Sequence, residues 1–153
     1  MANFLSSTLK HQLLTTTFIA TAFLACKPSV DYKQKREEVI RYHDVVMADA
    51  GQVVDKQMRL TSMLKDLHAL KTKNPGIDTL VEKDSILAVQ AKLNHADEAM
   101  NDWMHHFEPD VTGKSDSEAI AYFEGEKVKI QRVDSLFKQE IKLADRYLGK
   151  FKK

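Results

Sequence analysis

The sequence predicts an all-α fold, an antiparallel up-down-up three-helix bundle of long, coiled-coil-like helices. Three observations carry this expectation. From Asp31 onward apolar residues recur at three- and four-residue steps. No alternating strand pattern interrupts them. Only two short polar breaks, Asn74-Pro75-Gly76 and Glu108 to Lys114, divide the chain. Two short connections between long amphipathic segments place neighbouring helices antiparallel.

The first helix is expected over about 31–71. Val39, Tyr42, Val46, Val53, Leu60, Leu64 and Leu67 form one stripe, and Ile40, His43, Met47, Ala50, Val54 and Met58 form a second beside it. The second helix is expected over 78–107 with Asp78 as its N-cap. Its apolar positions Ile86, Val89, Leu93, Ala96, Met100, Trp103 and Phe107 alternate three and four apart, a seam for packing against another helix. The third is expected over 116–151, with Ala119, Phe123, Ile130, Val133, Phe137, Ala144, Leu148 and Phe151 on its inner face. Ser115 and Glu118 are spaced as a capping box, each side chain meeting a free backbone N–H of the other. Helices of these lengths make a rod roughly 45–60 Å long.

With 153 residues the chain can bury one core. Five Gly and three Pro leave little material for the turns of a β fold. Lys10 is the one charged residue among the first 25, so 22 basic and 22 acidic residues remain from Cys26 onward. That balance shows no basic face and argues against a nucleic-acid partner.

The N-terminus is organised differently. Lys10 and His11 precede an apolar run from Leu13 to Ala25, which is too short and too rich in Thr for a span of about 20 apolar residues. It has the length of a secretory signal's apolar region and ends in a small residue. Cys26, the only cysteine, follows at once and has no partner for an internal disulfide. Phe23-Leu24-Ala25-Cys26 resembles the lipobox of bacterial lipoproteins, in which the signal is removed before the Cys and the Cys carries the lipid. Phe23 and Leu24 depart slightly from its commonest form. The division expected is a signal peptide over 1–25, a lipidated Cys26 with a tether over 26–30, and the bundle over 31–153. Lys27, in place of Asp, is compatible with the outer membrane.

Two further segments, His43-Asp44-Val45-Val46-Met47 and Ala96 to Phe107 with its Trp103-Met104-His105-His106 core, resemble a family of small envelope lipoproteins of Gram-negative bacteria. Its members are often labelled "viral A-type inclusion protein", a label that implies no viral role. The resemblance spans most of the chain after Cys26. It implies a helical fold and lipid anchoring, and it implies no activity.

Enzyme signatures are missing from the sequence. It has no glycine-rich phosphate loop, no His-Glu-x-x-His and no nucleophile elbow. Asp102 and His105 have the spacing of a dimetal-bundle motif, which such bundles need twice. A non-enzymatic envelope module with a membrane anchor and an envelope protein as partner is the first expectation. The second is a copper or haem site. If the first hairpin turns near Asn74-Pro75, the numbers of facing residues sum to about 149. His43, Met47, Met100, Met104, His105 and His106 then gather at one end of the bundle. Thioether and imidazole suit copper(I), and a Met/His pair can ligate haem. Covalent haem is excluded because Cys-x-x-Cys-His is absent. Against a site, Met is ordinary seam filler, and a His near a helix C-terminus is favoured by the dipole. The charge runs Lys33–Glu38 and Glu124–Lys129 read as solvated helix faces.

Overall fold

The computed structural model describes residues 31–151, and Cys26 with the signal and tether expected around it lies outside them. The described residues are helical, without a strand, in four helices: α1 (Tyr32–Lys65), α2 (Leu67–Lys73), α3 (Thr79–His106) and α4 (Asp116–Gly149). The helix boundaries foreseen from the sequence fall within two residues of these. The count does not, because the expected first helix is divided in two.

The division lies at Asp66, whose backbone leaves the helical region at φ −136°, ψ 66°. Its carboxylate accepts from the Ala69 N–H at 2.7 Å and so starts a new helix. Asp competes for backbone donors in this way more readily than an apolar residue does. Hydrophobic periodicity continues through Leu67 and hides the break. Asn74 then closes α2, with its side-chain amide donating to the Leu70 carbonyl at 3.1 Å.

Caps account for the other ends. Asp31 accepts from Lys33 N at 3.0 Å, and Asp78 accepts from Leu80 N at 2.8 Å. Ser115 and Glu118 form the reciprocal capping box that their spacing predicts. In the turn before it, Lys114 N donates to the Val111 carbonyl at 3.0 Å. Gly113 adopts φ +89° there, a conformation that L side chains resist.

Cross-helix contacts define the register. Lys35–Glu124, Glu38–Lys127, Tyr42–Gln131 and Lys56–Asp145 each join α1 to α4 across the same separation of 89 residues. A constant separation requires that these two helices run parallel. Thr61–Gln90, Gln57–Asn94 and His43–Trp103 join α1 to α3 with numbers summing to between 146 and 151, so that pair is antiparallel. Glu82–Tyr147 and Trp103–Glu126 make α3 and α4 antiparallel as well.

The core follows from that packing. Val39, Val46, Val53 and Leu60 of α1 meet Ile86, Leu93, Ala96 and Met100 of α3 and Phe123, Ile130, Phe137 and Ala144 of α4, all essentially shielded from water. Fully burying a Leu, Ile or Phe side chain contributes about 1.5–3 kcal/mol. Most of the second stripe of α1 stays out of this core: Ile40, Met47, Val54 and Met58 remain exposed, Met58 at 68%, whereas Ala50 packs against its edge.

Candidate functional site

The hairpin of α1 and α3 brings His43 level with Trp103, their ring centroids 6.1 Å apart. Trp103 stacks on Phe107 at 4.7 Å with 19° between the rings, and Phe107 lies 6.3 Å from Phe123 of α4. Ile40, His43, Asp44, Trp103, Met104 and Phe107 line a groove of about 280 Å³ beside this stack. His43 is half-buried, and its Nδ1 lies 3.0 Å from Asp44 Oδ1.

Of the six residues expected to gather, two share this groove, His43 and Met104. Met100 is buried in the core. Met47 is 43% exposed and does not line the groove. His105 is exposed, and the exposed His106 donates from Nδ1 to the Asp102 carbonyl at 2.6 Å. The register that would bring the set to one level is present. Helix geometry nonetheless turns successive residues about 100° apart, so positions 104, 105 and 106 project in different directions. Among the described residues no three His, Cys, Asp or Glu side chains converge in a way that could hold a metal ion.

Behind the stack lies a polar arrangement that sequence reasoning missed. Trp103 Nε1 donates to Glu126 Oε2 at 3.0 Å, and Lys129 Nζ reaches Glu126 Oε1 at 2.6 Å. Glu126 is 3% exposed. It therefore does not belong to a solvated face, as the alternating charges around it suggested. The same charge run supplies Glu124 and Lys127, which pair with Lys35 and Glu38 of α1 at 2.9 and 2.5 Å. A sequence signal existed: Glu126, Val133, Glu140 and Tyr147 are seven apart and continue the α4 seam. At the other end Tyr147 donates to Glu82 Oε2 at 2.6 Å. Burial, reinforced by that hydrogen bond and the Glu82 charge, pushes the Tyr147 phenol well above its usual range.

Nearest the start of α1, the Tyr122 hydroxyl accepts from the Glu108 N–H at 2.8 Å and fastens the α3–α4 loop to α4. Asp110 accepts from Thr112 N and Thr112 Oγ1 at 2.9 and 2.6 Å. Those two hydrogen bonds hold its carboxyl below the usual carboxylate range. The loop, the first turns of α1 and the start of α4 line a second, open and more polar cavity.

No protein-family model, no curated protein and no solved structure matches this chain. Among the described residues the structure defines a four-helix, all-α fold with two cavities at one end. Among the described residues no helix is long and apolar enough to cross a membrane.

Proposed function

We propose that the chain is a non-enzymatic lipoprotein of a bacterial envelope, of the small helical family that its sequence resembles. It is anchored by lipid on Cys26 and acts as a structural or protein-interaction module on the periplasmic or outer face. The observation that carries the reading is position. Cys26 directly follows Ala25 and a signal-length apolar run, and α1 begins six positions later at Tyr32. In this reading α1, α3 and α4 form the up-down-up bundle, and α2 is a short cap at the far end. The exposed stripe of Ile40, Met47, Val54 and Met58 supports an interaction role, since it presents apolar area along most of α1.

Metabolic labelling with a fatty-acid probe tests the anchor. Wild type should incorporate label, while Cys26→Ala should lose it and accumulate as the unprocessed precursor. Equal labelling of both chains would overturn the reading.

A further inference from the structure

The polar cavity at the α1 end has a volume of about 480 Å³. Its chemically active lining is Tyr32 and Arg36 of α1, Asp110, Thr112 and Lys114 of the α3–α4 loop, and Asp116 of α4. Two cations and two anions therefore share one concave surface. Arg36 stands apart from its neighbours. Lys35 and Glu38 are both paired across to α4, whereas Arg36 Nε is enclosed and donates to nothing among the described residues. That Nε is shielded from the cavity, so what Arg36 offers a ligand there is its guanidinium charge, which no ion pair among the described residues neutralises. Asp110 is held ionised by its two bonds from Thr112, so it presents a fixed negative charge.

The mixture of signs narrows the ligand. A bare anion on Arg36 and Lys114 would face Asp110 and Asp116 as well, and a bare cation would leave the Arg36 charge unpaired. A ligand carrying both charges a few ångströms apart answers all four groups. We propose that this cavity binds the dipolar headgroup of a bilayer lipid, a phosphate ester joined to a primary ammonium. The phosphate sits on Arg36 and Lys114, where guanidinium and phosphate make strong charge-assisted hydrogen bonds. The ammonium sits between Asp110 and Asp116.

The inference rests on the lipid-anchored reading, because the anchor supplies proximity. Cys26 is six positions before Tyr32, and six extended residues reach at most roughly 22 Å. The end of the bundle that carries the cavity is thereby kept close to the headgroup layer. The anchor and the cavity hold the same end of the rod.

The test uses the full chain, purified in nonionic detergent, with glycerophosphoethanolamine and inorganic phosphate as separate titrants followed by isothermal calorimetry. Wild type should bind glycerophosphoethanolamine saturably. Arg36→Gln and Lys114→Gln should each weaken it at least tenfold while circular dichroism shows unchanged helicity. Asp110→Asn should weaken the same titrant and leave phosphate no weaker. Phosphate binding as tight as the headgroup would overturn the dipolar assignment, as would an Arg36→Gln chain that binds normally. Reconstitution in nanodiscs separates the sources of the ligand. Phosphatidylethanolamine in the disc should displace the soluble headgroup relative to phosphatidylcholine alone, and failure to displace it would overturn the bilayer source. Fatty-acid labelling reads the anchor independently. Label without saturable binding removes the headgroup site and leaves the anchor, whereas binding without label removes the anchor and leaves the site.

Discussion

Glu126 of α4 accepts a hydrogen bond from the Trp103 indole at 3.0 Å, with both residues withdrawn from solvent. This bond ties the groove at His43 to the α3–α4 interface, because the ring it orients is the one that stacks on Phe107. Lys129 compensates the carboxylate from the rim, where its own side chain is largely exposed.

Removing the donor of this pair should cost more than neutralising its acceptor. Trp103→Phe leaves the Glu126 oxygen enclosed without its donor and should destabilise the fold by about 1–3 kcal/mol. Glu126→Gln keeps an acceptor and should cost less. Urea denaturation followed by circular dichroism compares the two, and equal losses would contradict that order.

Leu93 is fully shielded at the centre of the α3 seam, whereas Met58 on α1 is 68% exposed. Leu93→Ala should cost about 2–5 kcal/mol, as methylene deletions in well-packed cores do. Met58→Ala should fall within about 0.5 kcal/mol of wild type. A large loss at Met58 in the purified protein would mean that a second copy of the chain already covers the outer stripe.

Stability should fall at both ends of the pH scale, for opposite reasons. Lys127 holds Glu38 below the usual carboxylate range, and Ser115 holds Glu118 there. A lowered carboxyl binds fewer protons folded than unfolded, so its contribution is complete above about pH 4.3 and disappears as pH falls through the folded value. Glu126 raises Lys129, Asp134 raises Lys138, and burial raises Tyr147. Those contributions are complete below about pH 10 and decline as pH rises beyond it. Thermal midpoints should form a plateau between about pH 5 and 9. A midpoint still rising below pH 4 would contradict the assigned carboxylate pairings.

The shared groove gives the copper reading its fairest trial at His43 and Met104. Competition with a chromogenic copper(I) chelator should show no stoichiometric retention by the purified protein. The double substitution His43→Ala, Met104→Ala should alter stability alone. One-to-one retention that vanishes in the double variant would establish a metal site at this end of the bundle.

Much of this molecule is legible from local pattern. Apolar residues at three- and four-residue steps identify helices because a helix turns every 3.6 residues, and the seams at Val39 to Leu60, Ile86 to Trp103 and Phe123 to Leu148 are the buried faces. Asp78 and the Ser115–Glu118 box mark helix starts because a free N–H near a short polar side chain is a local problem with a local answer. The level of His43 follows only to within a turn: the hairpin near Asn74-Pro75 puts it opposite His105 and His106, and its ring lies beside Trp103.

Tertiary structure decided the polar part. A seam of period seven does not reveal that Glu126 reaches an indole on another helix, nor that Lys56 finds Asp145. Whether such a side chain is solvated or enclosed depends on rotation and register between helices distant in sequence. The break at Asp66 is masked by unbroken hydrophobic spacing and exists because one carboxylate captures the Ala69 N–H. The mixed-charge cavity is the furthest from sequence. Arg36 and Lys114 are 78 positions apart, and they share a surface only because α1 begins where the α3–α4 loop turns.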